Sequence, residues 1–377
     1  MGSAEAVPCD VAFSLARGVN GINCRNCSSQ ERNRMADDIF EDAPERRQRP
    51  RRKPRRTGRK ILFGLLVLVL VVIAGIGGYA WYVGRTFDKN ANRLTDEQVF
   101  GKKTPPPVDG GAMNILILGA DEPMNQADFE NSRGLRSDSI MVGHVPADRS
   151  SMQFMSIPRD SWVDIEGHGK AKINAALSYG GLPLAVSTVE EFIGAPIHHV
   201  AMIDFEGFKL LTDSVGGVDV QSPKAFSSGG HSFTEGTNHL DGEAALAFVR
   251  ARKPFADGDF QRARNQQEFM SSLFGKLLTA DTLSNPNKVT GMIRDFSPYM
   301  YLDSGLRSSS ISRYALSMRD IRSDDIDFFT APTAGVGRSS DGQSIINVDE
   351  EELENVRKAF KDDTVEDYAA NADQQHP

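Results

Sequence analysis

Cysteine is nearly absent. The 377 residues hold three, Cys9, Cys24 and Cys27, and none follows Cys27, so no disulfide braces the rest of the chain, which must hold by packing. Cys24 and Cys27 make a lone CxxC, but a closed zinc site wants four ligands, and this stretch has three thiols and no histidine. Charge is missing from one place: residues 61–83, "ILFGLLVLVLVVIAGIGGYAWYV", contain no Asp, Glu, Lys or Arg. About 20 such residues span a bilayer as a helix, and a run this long and this far from residue 1 is not the short apolar core of a cleaved signal peptide. Nothing resembles a helix-turn-helix, and the basic run beside the apolar segment is explained by membrane topology, so nucleic acid is not expected as a partner.

What is present divides by charge. Residues 1–60 carry 14 Lys+Arg against 8 Asp+Glu, and residues 84–377 carry 29 against 43. Ten of the fifteen residues from Arg46 to Lys60 are basic. The positive-inside rule then keeps the N-terminus in the cytoplasm and puts the remainder outside a cell membrane crossed once. The expected organisation is a basic cytoplasmic tail at 1–60, with Met35 as an alternative start that would make 1–34 an over-called extension. A transmembrane helix at 61–83, a Pro/Gly-rich stem at 84–112, a catalytic domain at 113–362 and a polar tail at 363–377 complete it.

Within the domain, "MNILILGA", "SIMVGHV", "QFMSI", "HHVAMID" and "IDFFT" read as strands. "INAALSYGG", "LPLAVSTVEEFIG", "FEGFKLLTDSVGG", "LDGEAALAFV", a long segment from Asp259 to about Thr279, and "DEEELENVRKAF" read as helices. Interleaved strands and helices without a repeat predict an α/β fold, an α-β-α sandwich around a central sheet.

One segment conflicts with the acidic balance. "FVRARKPFADGDFQRARNQQEF", residues 248–269, holds four arginines and a lysine. In the long helix Arg262, Gln266, Phe269 and Leu273 share one stripe; its far end is apolar and must face the core, so its near end turns Arg262 and Gln266 inward as well. Asp259, preceded by Gly258, sits where an N-cap belongs, and a helix N-terminus beside guanidinium groups attracts an anion. Arg250 and Arg252, two apart, project to one side if that segment is extended. Arg264 points away and is expected on a surface partner. Asp121 follows the first strand and Asp138 opens the second, so neighbouring strand ends bring two carboxylates together; with a phosphate they suit Mg²⁺, which takes hard oxygen ligands and keeps several waters. Arg136 lies beside Asp138, Arg159 follows the third strand in "IPRD", and Lys172 is expected at a helix start, where a cation requires a nearby anion.

No His, Cys or Ser constellation competes with this set. His198 and His199 point oppositely on a strand, and "HGK" and "GGHS" read as glycine turns. Phe192, Phe205, Phe208 and Phe248 are candidates for an apolar slot, although core is the commoner role for such residues.

The blocks "NILILGAD", "RSDSIMVGHVPADR", "SIPRDSWVDIEGHGKAKINAALSYGG", "DFEGFKLLTDSVGGVDV" and "HLDGEAALAFVRAR" with "DGDFQRARNQQEF" occur in the order found in the LytR-CpsA-Psr family of bacterial cell-envelope proteins, which this chain resembles closely over about 113–280 and loosely to about 360. Ala120 stands where the family often has Ser, Thr or Val. The resemblance implies an α-β-α fold with a mixed central sheet and a membrane-anchored, extracytoplasmic phosphotransferase. Its donor would be a glycopolymer on a polyprenyl pyrophosphate carrier in the membrane, its acceptor the C6 hydroxyl of N-acetylmuramic acid in peptidoglycan. By position in the motifs, pyrophosphate contacts fall on Arg136, Arg159, Lys172, Arg250, Arg252, Arg262 and Gln266, with Asp259 orienting an arginine and Mg²⁺ on Asp121 and Asp138. Asp121 or Asp138 is also the candidate base for the sugar hydroxyl. Two other readings stand beside it: a non-catalytic regulator that binds envelope lipids, and a hydrolase of polyprenyl pyrophosphates.

Overall fold

The computed structural model describes residues 57–105, 107–108, 110–120, 124–125, 129, 137–255, 258–279 and 285–375, without the side chains of 57–66, 259 and 373–375. Asp121 and Arg136 lie outside the described residues, as does the Asp259 side chain. The chain divides into two compact units, Met1–Val69 and Leu70–Pro377.

Helix α1 runs Thr57–Asn90, and its stretch Val67–Asn90 is long and apolar enough to cross a membrane; residues 67–78 are exposed, while Phe87 near its end is buried with Leu302 and Leu306. Then come β1 (Asn92–Arg93), α2 (Asp96–Phe100), β2 (Met113–Ala120), β3 (Ser137–Val145), β4 (Met152–Ile157), β5 (Trp162–Ile165), β6 (Gly169–Lys172) and α3 (Ala175–Ile193). They are followed by β7 (His199–Ile203), α4 (Phe205–Ser214), β8 (Val218–Ser222), β9 (Phe226–Ser228), β10 (His231–Phe233), β11 (Gly236–Leu240), α5 (Gly242–Val249) and α6 (Gly258–Leu277). The last elements are α7 (Pro286–Phe296), β12 (Met300–Leu302), α8 (Ser308–Ser317), β13 (Ile326–Thr330), β14 (Thr333–Arg338), β15 (Ser344–Val348), α9 (Glu350–Asp362) and α10 (Val365–Gln375).

Seven strands form one mixed sheet in the order β1-β12-β7-β2-β3-β4-β13. β2 runs parallel to β7 and antiparallel to β3, while β4 runs antiparallel to β3 and parallel to β13. Helices cover both faces, the expected α/β sandwich with a mixed sheet. On one side α3, α9 and α10 bury Leu177, Phe192, Val356, Phe360 and Ala369 against Leu116, Val142, Met155 and Val200 in a single core. On the other, Phe274 of α6 stacks 5.2 Å from Phe154 of β4. Beside it α4, α5 and α6 close on the β8-β11 ribbon around Phe248 and Phe269. Each such phenylalanine contributes about 1.5–3 kcal/mol on burial.

Local chemistry sets the helix ends. Asp204, Asp241 and Asp349 accept the third-residue N–H of α4, α5 and α9, each satisfying an otherwise orphaned donor. The two helices read from "INAALSYGG" and "LPLAVSTVEEFIG" are one element, α3, kinked where Gly180 and Gly181 leave helical geometry. Gly181 has φ 66° there, a conformation that costs glycine little. Residues 365–375, expected in a polar tail, instead form α10, which docks Val365 and Ala369 into the core. The four phenylalanines do not share a slot: Phe192 belongs to the first core, and Phe208 and Phe248 to the second.

Candidate functional site

The site forms where β2 and β3 meet the turn after β4. The β2-β3 register ends with Ala120 opposite Ser137, one residue before Asp138. On the adjacent strand, Pro158 breaks β4 and a turn closed by Ser161 N–H on the Pro158 carbonyl carries Arg159 and Asp160. Backbone bonds clamp this turn. Asn174 N–H donates to Arg159 O, Ile173 N–H to Ser161 O and Ile346 N–H to Asp160 O.

Asp160, only 8% exposed, is the hub. Its Oδ1 takes the Lys172 ammonium at 2.9 Å, while Oδ2 faces Arg159 Nε at 3.7 Å and Arg252 Nη2 at 3.9 Å. Arg159 Nη1 also pairs with Asp138 Oδ1. The contact between Arg159 Nε and Asp160 is too long for a hydrogen bond, and among the described residues the buried Nε finds no hydrogen-bond partner. Such a donor costs free energy unless a ligand supplies an acceptor.

The second wall comes from α5 and α6. Arg250 is the C-cap of α5 with φ −100° and ψ −5°, so the segment turns rather than extends. The Arg250 guanidinium lies 4.5 Å over the Phe205 ring, and Arg252 reaches Asp160, yet both line one cleft of about 580 Å³ with Ser227, His231, Glu243 and Lys253. On α6, Arg262 is 6% exposed although charged. One turn on, Gln266 accepts from Ser139 Oγ at 3.4 Å and donates to Val249 O at 3.4 Å, tying β3 to the end of α5. Asn265 Nδ2 donates to Phe248 O at 3.2 Å and reinforces the same seam. The inward stripe expected on this helix is therefore present.

Several expectations need adjusting. Lys172 ends strand β6 instead of starting a helix, and the anion it requires is Asp160. Helix α6 begins at Gly258, so Asp259 stands in its first turn and not ahead of it. Arg264 is exposed and bonds Gln261 Oε1 at 2.7 Å. The "GGHS" turn contributes Gly229 and His231 to the cleft wall. His198 and His199 do diverge: His198 Nδ1 accepts from Asn114 N–H and His199 Nδ1 meets Asp303. Asp160 itself carries no signal in the sequence beyond following Arg159. Turn aspartates are common, and only the fold reveals that Lys172 and Arg252 come to it.

For a divalent cation, the described residues contain no cluster of three or more His, Cys, Asp or Glu side chains. Asp138 does fit the donor chemistry Mg²⁺ requires, a hard carboxylate oxygen, here paired with Arg159 Nη1, since Mg²⁺ is held by one or two carboxylates plus substrate phosphates. Asp204 lies along the same sheet end, one residue after Ile203, which pairs with Gly119 of β2. Burial pushes its carboxyl above the ordinary range against the backbone N–H bonds of Gly207 and Met124.

The mixed α/β sandwich thus gathers Arg159, Lys172 and Arg252 on Asp160 beside a cleft lined by Arg250, Arg252 and Lys253. The chain belongs to the LytR_cpsA_psr family, which it matches over residues 82–362, and it is an enzyme of the phosphotransferase kind. Among curated relatives, the polyisoprenyl-teichoic acid–peptidoglycan teichoic acid transferase TagU of Bacillus mycoides (strain KBAB4) is 37% identical over 242 residues, 63% of this chain and 77% of TagU. TagU of Enterococcus faecalis (strain ATCC 700802 / V583) is 30% identical over 310 residues, 80% and 95% respectively. Among solved structures, B. subtilis TagV superposes with a TM-score of 0.58 at 28% identity, covering 68% of this chain and 98% of TagV.

Proposed function

We propose that the protein transfers a glycopolymer from a polyprenyl pyrophosphate carrier to peptidoglycan, with the diphosphate seated on Arg159, Lys172, Arg250, Arg252, Arg262 and Gln266. The observation that carries this reading is the buried Arg159 Nε, which among the described residues has no hydrogen-bond partner, beside Asp160, where three segments of the chain deliver cations. The names of the TagU relatives, polyisoprenyl-teichoic acid–peptidoglycan teichoic acid transferases, point to the same donor and acceptor classes. The apolar length of α1 and the basic run at Arg46–Lys60 favour a single-pass anchor with this domain outside.

In this mechanism the C6 hydroxyl oxygen of N-acetylmuramic acid attacks the phosphorus that bears the sugar. The bond from that phosphorus to the bridging oxygen breaks, polyprenyl phosphate leaves, and the hydroxyl proton passes to a carboxylate at the Asp138 strand end or to Asp121. Charge grows on the equatorial oxygens and on the departing phosphate, where fixed guanidinium groups stabilise it without reorganising. Asp160 takes no part in bond making; it fixes Lys172, Arg159 and Arg252 relative to one another. Mg²⁺, when bound to Asp138 and Asp121, would neutralise phosphate charge. Arg136 and Asp259 complete the proposed contacts by their places in the motifs.

The test is transfer of a radiolabelled glycan from a lipid-linked donor to peptidoglycan by the full-length chain in detergent with Mg²⁺. Product attached to peptidoglycan, reduced by chelation, supports the reading. Phosphate release without acceptor would replace it with hydrolysis, and donor binding without turnover with a regulator.

A further inference from the structure

Helix α8 is anomalous for a folded domain. Among its ten residues, Ser308–Ser317, none is buried, and Ile311 and Leu316 are 36% and 65% exposed. A helix this short is marginal in water without packing. Among the described residues, Asp88 of α1 accepts from Ser308 N–H at 2.9 Å and from the Ser308 hydroxyl, and half-buried Tyr314 packs beside Phe87 and Leu302 with its OH 3.0 Å from His199 Nε2.

The Asp88 contact fixes where α8 starts. Gly84 of α1 lies so close that a Cβ there would stand 3.1 Å from Ser308 Cβ. The preceding turn of α1 carries Tyr79, Trp81 and Tyr82. Trp81 and Tyr82 are exposed, and the Arg85 guanidinium lies 5.4 Å over the Trp81 ring. Tyr79 OH donates at 2.6 Å to the carbonyl of Pro286, the first residue of α7. Tyr and Trp flanked by Arg at the end of an apolar run mark headgroup depth, so α8 begins about one helical turn beyond the bilayer surface.

Charge points the same way. Residues 84–377 hold 29 Lys+Arg against 43 Asp+Glu, a balance that an anionic surface repels. The thirteen residues from Arg307 to Arg319 contain three arginines and no acid. Arg313 is exposed with its guanidinium 5.8 Å from the Tyr314 ring, and Arg319 donates to the Leu316 carbonyl at 3.3 Å and faces the exposed Asp320 at 3.6 Å, an ion pair of little strength in water.

We propose that α8 rests on the headgroup layer of the leaflet beside its own anchor, with Leu316 and Ile311 dipping toward the acyl chains and Arg313 and Arg319 on the phosphates of anionic lipid. The proposal rests on α1 being a membrane anchor. Its consequence is a second point of contact, which holds the domain at one height and tilt, so that the cationic cleft meets the diphosphate of a membrane-embedded carrier instead of swinging on a single tether.

The experiment places the full-length chain in nanodiscs of phosphatidylcholine alone or mixed with phosphatidylglycerol and follows hydrogen exchange of the α8 amides. Exchange is expected to be about 25-fold slower on the anionic disc, since each of the two arginines at such a surface contributes about five-fold. That protection should vanish near 1 M salt, where the Debye length is about 3 Å, and in R313Q/R319Q, with β2 and β7 amides unchanged as the control for folding. Equal α8 exchange in both discs while the protein stays bound overturns the docking alone. A chain that elutes apart from the discs overturns the anchor and the docking together.

Discussion

Replacing Asp160 by Asn keeps the shape of the hub and removes its charge. The carboxylate has Lys172 Nζ at 2.9 Å, Arg159 Nε at 3.7 Å and Arg252 Nη2 at 3.9 Å. At an effective dielectric of about 20 these separations correspond to about 6, 4 and 4 kcal/mol of attraction before desolvation is charged against them. Removing one partner of a buried ion pair costs about 3–5 kcal/mol net. The Arg252 side chain is 38% exposed and therefore screened, so the lower figure, about 3 kcal/mol, is expected. That corresponds to a fall in Tm of about 6–12 °C. The three cations, no longer held to a common anion, repel one another, and a displacement of about 1 Å in such groups costs about 10²-fold in rate. Thermal unfolding in detergent and the transfer assay, run on the same preparations, measure both. As Asp160 positions other groups, D160N/K172M should recover part of the lost Tm by removing one stranded cation, while activity stays low. Wild-type rate and Tm in Asp160→Asn would refute the reasoning.

Gly242→Ala probes the second wall: a Cβ there would fall 2.5 Å from the Lys209 backbone oxygen, so α5 must shift from α4 at a cost of about 1–3 kcal/mol, and transfer should drop with Tm because Arg250 and Arg252 follow α5. A variant of wild-type stability would show that the helices separate freely. The domain should also lose stability in mild acid. Burial holds His144 below its ordinary value, against the pull of Asp363 3.0 Å from Nε2 and with help from Arg149. A base with a depressed folded pKa gives stability that is present above the unfolded value of 6.5 and is lost as pH falls below it. His198 behaves alike through burial, so His144→Gln should make the fall of Tm between neutral and mildly acidic pH shallower without abolishing it. An equally steep fall would place the proton uptake elsewhere.

Much of the pocket was legible because its residues obey local periodicity. Arg262 and Gln266 lie on a helical stripe whose continuation, Phe269 and Leu273, is core, so their inward direction follows from the spacing alone. Strands such as "MNILILGA" were visible for the same reason, whereas the aspartate caps Asp204 and Asp241 emerge from the structure. Asp160 was not, since its meaning depends on Lys172 and Arg252, which are distant in sequence and arrive through β6 and the end of α5. Lys172 misled because the strand β6 is four residues long and runs almost directly into α3. The last helix was hidden by its polarity: α10 offers only a few apolar contacts, among them Val365, Ala369 and the Tyr368 ring at 5.6 Å from Phe329. The resemblance to a family added the diphosphate, whereas spacing alone indicated an anion.

The most direct measurement is calorimetric binding of a short-chain polyprenyl pyrophosphate and of the matching monophosphate to wild-type protein and to Arg252→Gln. A pocket built from these cations should bind the diphosphate more tightly by at least about ten-fold, and the substitution should erase most of that preference, since a hydrogen bond to a charged group contributes about 1.5–3 kcal/mol. Equal affinity for the two lipids, or a preference untouched by the loss of Arg252, would contradict the account.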